Sequence, residues 1–275
     1  RVFHILSTSK VTLRNVEISG GESSSSLGGG IFIQNSKNVT IQSVVVTNNH
    51  ASNAGGGIAI DRNSSASIDT SSISYNTSSQ GGGIYNEGSL TLKTSIISNN
   101  FGTVANGGID NNAQDSGSME IVNTTVAENQ SPIAAGVGSY GNISILNSTI
   151  IKNSGPGLYI GQNAPAGWVK NSIVALQNNS VNNCVIGSTA FISMGHNIED
   201  QNTCGFNALG DQTNVAYLGL IVPYSHNGGP TETYALSADS PAVDAGDDNG
   251  CPATDQRLYG RPADGNEDGV GHCDI

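Results

Sequence analysis

Charge is scarce in this chain: Asp, Glu, Lys and Arg together make up 12% of its 275 residues, and only ten are Lys or Arg. So few cations cannot form the clusters that neutralise phosphates, which excludes nucleic acid as a partner. A formal net charge of −12 argues equally against anionic membrane surfaces. Aromatics are only 5% of residues, and the Ala, Leu, Glu and Lys runs that build long helices are missing. No apolar run approaches the length of a membrane span, so neither a transmembrane segment nor a signal peptide is expected within these residues. Arg1 already lies in what reads as a strand, so the expectation is a processed piece of a longer precursor.

Cysteine is absent before residue 184, and the four that follow are Cys184, Cys204, Cys251 and Cys273. None forms a C-x-x-C pair and no His stands at zinc-ligand spacing, which sets a metal thiolate site aside. Disulfides, and with them an oxidising compartment, are the better reading. Of the three possible pairings, the sequential one is preferred: Cys184 with Cys204 and Cys251 with Cys273.

Glycine is abundant, at 36 residues, among many Ser, Thr and Asn. That composition accompanies a repeat. Seven segments superimpose without gaps: VTLRNVEIS, VTIQSVVVT, ASIDTSSIS, LTLKTSIIS, MEIVNTTVA, ISILNSTII and GWVKNSIVA. Their third residues run from Leu13 through Ile41, Ile68, Leu92, Ile121 and Ile145 to Val169, all branched aliphatics. Five residues on stand Ile18, Val46, Ile73, Ile97, Val126, Ile150 and Val174. Two residues before the first column lies another apolar one, broken only by Gly167. Successive copies are 28, 27, 24, 29, 24 and 24 residues apart, which is one coil per repeat. Glycine-led segments such as GGGIFI and GGGIYN supply a third strand, with Ile31, Ile58, Ile84, Ile109, Val137 and Leu158 inward. The fold expected is therefore all-β, a right-handed parallel β-helix of about seven three-strand coils over residues 1–180. Residues 181–275 are expected to form an irregular, disulfide-containing C-terminal cap over the last coil.

Two polar columns mark the corners. Asn15, Ser43, Thr70, Thr94, Asn123, Asn147 and Asn171 follow the first strand, and Asn49, Asn76, Asn100, Asn129 and Asn153 follow the second. Stacked amides can hydrogen-bond along the coil axis, and Asn tolerates the left-handed backbone of a sharp corner, so the second set is read as a structural ladder. The glycine runs at 28–30, 55–57 and 81–83 fit strand starts with unusual backbone angles, and they lack the Lys and helix of a nucleotide loop.

The tail carries GHNIED at 195–200, CGF at 204–206, HNGGPTETYAL at 226–236, SPAVDAGD at 240–247, DQRLYGRP at 255–262 and a closing CDI. These segments resemble the choice-of-anchor Q module that ends bacterial secreted right-handed β-helix proteins. The resemblance covers about residues 180–275, and it departs slightly at DQRLYGRP from the usual DQRG-type form. It implies a bacterial, exported, extracellular or cell-surface protein, with an anchoring segment beyond the module.

Parallel β-helices also host polysaccharide lyases and glycosidases, whose chemistry needs carboxylates opposed across a sugar. Asp61 and Glu87 occupy equivalent positions on neighbouring coils beside Gln34 and Asn112, which makes them the best catalytic pair in the sequence. Basic residues beside them are lacking except Arg62. An outward column contains Phe32, Tyr85 and Tyr159 but is interrupted by Ala59, Asp110 and Gly138, so a glycan-binding face would be shallow. For a cofactor, calcium is the candidate: Asp264, Asn266 and Asp268 followed by Gly269 spell D-x-N-x-D-G, with the Val270 carbonyl as a further ligand. The twelfth position is Ile275, not Glu, so the EF-hand form is incomplete. A second acidic group, Asp244, Asp247, Asp248 and Asp255, is weaker.

Repeat-maintaining residues dominate, and reactive groups do not converge. The function expected is that of a non-catalytic extracellular structural or adhesive protein, with itself, end to end, or surface glycans as partners, and possible assembly into a filament or surface layer. The alternative is a carbohydrate-active enzyme acting on an extracellular polysaccharide.

Overall fold

The computed structural model describes residues 1–7, 10–24, 26–113, 117–178 and 181–275. Strands from successive coils stack in parallel into two eight-stranded sheets and one seven-stranded sheet. Sheet A runs from Phe3–Leu6 to Cys184–Ile186, sheet B from Val11–Arg14 to Phe191–Ser193, and sheet C from Glu17–Ser19 to Ile173–Ala175. The fold is a parallel β-solenoid of about seven turns, without α-helix among the described residues.

Register follows the aligned columns: Leu13 pairs with Ile41, Ile41 with Ile68, and Ile68 with Leu92 in sheet B, while Ile18, Val46, Ile73 and Ile97 align in sheet C. These side chains and the sheet A column form one continuous core. The break at Gly167 is filled from the next coil, since a Cβ there would stand 2.7 Å from the Phe191 ring.

Two details differ from expectation. Coils 1 to 4 have a fourth strand: Glu22–Ser23, His50–Ala54, Thr77–Gln80 and Phe101–Ala105 form a four-stranded sheet D. It ends where Pro132 and Pro156 enter the corresponding segments, since proline cannot donate to a ladder. The left-handed residues are also divided differently. The first corner is left-handed throughout, from Asn15 (φ 52) to Asn171 (φ 47), but at the second corner the residue before each ladder asparagine takes that conformation, as at Asn48, Tyr75 and Asn99.

The ladder asparagines themselves turn inward. Asn49 Nδ2 donates to Asn76 Oδ1, Asn76 to Asn100, Asn100 to Asn129 and Asn129 to Asn153, each at 3.0 Å, and Asn153 donates to Gln177 Oε1 at 3.2 Å. A second buried ladder joins Asn86, Asn111 and Ser139 on the inner side of sheet A.

The strand ladders continue past the boundary expected at residue 180, which itself lies outside the described residues. Cys184–Ile186 and Phe191–Ser193 each add a rung, and Ile198 bridges Ile173. The Cys184–Cys204 disulfide then holds Cys204 and Phe206 against the end of the core. Beyond them the chain does not stop over the last coil. It runs back along the outside of the solenoid as a strap, with a short antiparallel pair, Leu220–Ser225 and Thr233–Leu236. Corner asparagines hold it: Asn123, Asn147 and Asn171 donate to the carbonyls of Thr254, Asp274 and Asp247 at 2.8, 3.0 and 3.0 Å. Gln256, within the DQRLYGRP segment, donates to Ser95 O at 3.0 Å and Thr231 Oγ1 at 3.0 Å and accepts from Thr125 Oγ1 at 2.8 Å. The Cys251–Cys273 disulfide closes the strap's last loop.

Candidate functional site

The outer face of sheet A carries two columns of side chains. One passes through Phe32, Ala59, Tyr85, Asp110, Gly138 and Tyr159 in strand register. The other lies just past the strand ends, where backbone bonds continue the stacking through Asp61, Glu87, Asn112, Tyr140 and Gly161.

Asp61 and Glu87 are thus neighbours on successive coils. The Asp61 carboxylate is occupied locally: it accepts from the Asn35 amide at 3.0 Å, the Asn63 amide at 3.1 Å and Ser64 Oγ at 2.6 Å, closing the turn that joins sheets A and B. Glu87 accepts from the Tyr85 hydroxyl at 3.1 Å, and that hydroxyl accepts from Asn112 Nδ2 at 3.1 Å. Burial is the main cause that pushes the Tyr85 phenol up to about 12.

A different carboxyl distinguishes this face. Asp110 is 3% exposed, although it belongs to the outward column. Burial pushes it up to about 6; the nearby Asn106 amide pulls it back, and the Glu87 carboxylate adds to the rise. The Asn106 amide lies close enough to lower both the Asp110 carboxyl and the Tyr140 phenol, although neither its two amide atoms nor Asp110 Oδ1 meets hydrogen-bond geometry with a partner among the described residues. Sequence reading saw Asp110 only as an interruption of an aromatic column.

Next to it the tyrosines of coils 6 and 7 meet. A Cβ at Gly161 would lie 2.6 Å from the Tyr140 ring, so the ring lies across this glycine. Tyr140 and Tyr159 are tilted by 50° with centroids 5.8 Å apart. A cavity of about 670 Å³ opens beside them, lined also by the turn at 161–165 with Gln162, Asn163 and Pro165. Burial raises the Tyr140 phenol, and the Asp110 carboxyl contributes to the shift. Aromatic faces beside amide side chains can stack on a sugar ring and hydrogen-bond its hydroxyls.

The remaining candidates are elsewhere. In the 264–270 loop, Asp264 accepts from the amides of Asp268 and Gly269, Asn266 from Asp268, and Asp268 from Val270, so these side chains organise their own turn. Asp244 accepts from the Gly265 and Asn266 amides at 3.0 and 2.9 Å. Among the described residues no group of three or more His, Cys, Asp or Glu is arranged to hold a metal ion. A smaller cavity of about 330 Å³ lies between strap and flank, lined by Arg261, Asp274 and Gln256 among others. Arg261 donates to Asn123 there at 2.9 Å, which makes it part of the strap's attachment.

No helix among the described residues is long and apolar enough to cross a membrane, which leaves β-barrels unaddressed. Neither a curated protein nor a solved structure matches the chain. Residues 1–173, well over half of the sequence, match the family described as right handed beta helix region. With its parallel coils, inward aliphatic columns and stacked asparagines, the chain belongs to that right-handed β-helix family.

Proposed function

We propose that the protein is a non-catalytic extracellular or cell-surface scaffold that holds a neutral glycan in the groove beside Tyr140 and Tyr159. The observation that carries this reading is the groove itself, where two half-buried tyrosines and a turn bearing Gln162 and Asn163 offer stacking surfaces and amides. Two disulfides suit an oxidising compartment, and the tail's likeness to choice-of-anchor Q modules suits export, with residues 181–275 as that module, built of the last rungs and the strap. Calorimetric titration with neutral gluco-, manno-, galacto- and xylo-hexasaccharides tests it. Binding that Tyr159→Ala weakens at least tenfold is expected, and a wild-type chain that binds none of them overturns it.

End-to-end association belongs to the same reading. Coils that pair in parallel strand upon strand could pair in the same way with the coils of a second copy. Light scattering that finds only monomers across a wide concentration range argues against it.

A second reading, a polysaccharide lyase or glycosidase, is favoured by the raised Asp110 carboxyl near Glu87, the arrangement an acid and its partner need. Release of reducing ends or unsaturated uronates from an extracellular polysaccharide, lost in Asp110→Asn or Asp61→Asn, would support it over binding alone.

A further inference from the structure

The cavity between strap and solenoid is walled by two parts of the chain far apart in sequence. Sheet C lines it with Thr125, Thr149 and Ile173 from successive coils, and the strap with residues between Thr233 and Ile275. Its volume, about 330 Å³, is at the lower end of the ~300–1,000 Å³ range of small-molecule sites, and it opens to solvent.

Two charges face this space without neutralising each other. Arg261 donates from Nη1 to Asn123 Oδ1 at 2.9 Å, while its Nε and Nη2 meet no acceptor among the described residues. Asp274 Oδ1 accepts from the Asp244 amide at 2.8 Å, while its Oδ2 meets no donor among them. Neither residue contributes to the unpaired polar atoms that are sealed from water, so these open positions can be reached from the cavity. Burial acts against both charges, lowering the guanidinium and raising the carboxyl, and each charge partly offsets the effect on the other. Yet the two form no ion pair. Arg257 and Asp255, which line the same cavity, are in contrast joined at 2.7 Å.

A partly buried charge without a partner is costly, so a ligand that supplies the missing partners is favoured. A simple anion suits Arg261 but meets the carboxylate of Asp274. A simple cation reverses the difficulty. A small molecule carrying both charges satisfies the two residues and occupies the gap between them. The Nε and Nη2 edge of a guanidinium is a planar fork that takes a carboxylate through two parallel bonds.

We propose that this cavity binds a free α-amino acid with an aliphatic side chain, its carboxylate on the Arg261 fork, its ammonium on Asp274 and its side chain against Leu236, Val243 and Ile275. All five residues line the cavity. An acidic sugar also brings a carboxylate, but it offers Asp274 only hydroxyls and leaves that charge uncompensated. The site is separate from the tyrosine groove and does not depend on the glycan reading.

The intact, oxidised chain is titrated calorimetrically with leucine, with isocaproate, which lacks the ammonium, with leucinamide, which lacks the carboxylate, and with galacturonate. Leucine should bind, and isocaproate and leucinamide at least tenfold more weakly. Asp274→Asn keeps an acceptor for the Asp244 amide; it should weaken leucine at least tenfold and leave isocaproate no weaker. Arg261→Lys keeps the charge without the fork and should also weaken leucine. Limited proteolysis checks that the strap stays docked in both variants, and if Arg261→Lys loosens it, Asp274→Asn decides alone. In the wild-type chain the Arg261 Nε–H signal, followed by NMR, should move on addition of leucine. No binding of leucine, an Arg261 signal that leucine leaves unmoved, or leucine held within twofold of wild type by Asp274→Asn overturns the proposal. Galacturonate bound more tightly than leucine overturns it in favour of an acidic sugar. Tyr159→Ala should leave leucine affinity unchanged, and a loss there would move the amino acid to the groove and refute the assignment.

Discussion

Replacing Asn100 with alanine tests whether the asparagine ladder holds the coils together. In the intact chain, Asn100 Oδ1 accepts from the Asn76 backbone and side-chain amides, each at 3.0 Å. Its Nδ2 donates to Ile73 O, Ser98 O and Asn129 Oδ1 at 2.9, 3.1 and 3.0 Å. The side chain is fully buried, so water cannot replace these partners without opening the coil. At ~1–3 kcal/mol for each buried group left unpaired, losing the Asn76 amide's acceptor and at least one carbonyl's donor should cost about 2–6 kcal/mol. That is a large share of the ~5–15 kcal/mol typical of a folded domain. The thermal unfolding midpoint by circular dichroism should fall by about 4–24 °C, at ~2–4 °C per kcal/mol. Asn48→Gly is the matched control, because Asn48 is exposed and left-handed (φ 54) where glycine is at ease; it should change stability by less than ~0.5 kcal/mol. An Asn100→Ala loss of under ~1 kcal/mol would refute the ladder's role and leave the aliphatic columns as sole support.

Asp110 predicts a pH dependence of defined sign. Its folded value, about 6, lies above the ordinary 3.8, so the folded chain keeps a proton that the unfolded chain releases between those values. Stability should therefore fall as pH rises through that window, by up to ~3 kcal/mol, and level off above it. Subtracting the urea-unfolding profile of Asp110→Asn from that of wild type isolates this contribution, and a flat difference between pH 4 and 7 contradicts it. Gln256→Ala removes the bonds to Ser95, Thr231 and Thr125. Limited proteolysis should then cut within 215–275 well before the coils, whereas simultaneous loss of both would show that strap and coils open together. Cys251→Ser with Cys273→Ser frees a loop spanning 22 residues. On loop entropy this should cost about 3 kcal/mol, read as a lower denaturant midpoint than wild type under non-reducing conditions.

The columns were legible because inward side chains recur at a fixed offset within each coil, and a parallel stack brings equal offsets into contact. Even the flaw at Gly167 was visible; that Phe191 fills it was not, because Phe191 lies where the sequence repeat has already faded. The site was less legible. Asp61 and Glu87 drew attention as adjacent acids, yet the bonds that occupy Asp61 come from Asn35, Asn63 and Ser64, residues with no sequence signal for that role. Asp110 acquires its character from burial between stacked coils, and its column neighbour Gly138 is 28 residues away until the coils stack. The available clue was the alignment itself: the first glycine of the run replaced once by Asn, one coil before a column position loses its side chain. The strap's course was illegible because it is set by corner asparagines donating to backbone carbonyls, which any sequence presents.

A solenoid in which each coil touches only its neighbours can fray from either end, one rung at a time. The strap changes that for part of this molecule. Through Tyr224 on Asn99, Gln256 on Ser95 and Asp247 against Lys170, it ties the fourth coil directly to the seventh. Those rungs cannot peel away in sequence without first releasing a segment that belongs to them all. Coils 1 and 2 have no such tie among the bonds described, so slow amide exchange should begin abruptly near coil 4, where the chain changes from a stack into a closed loop.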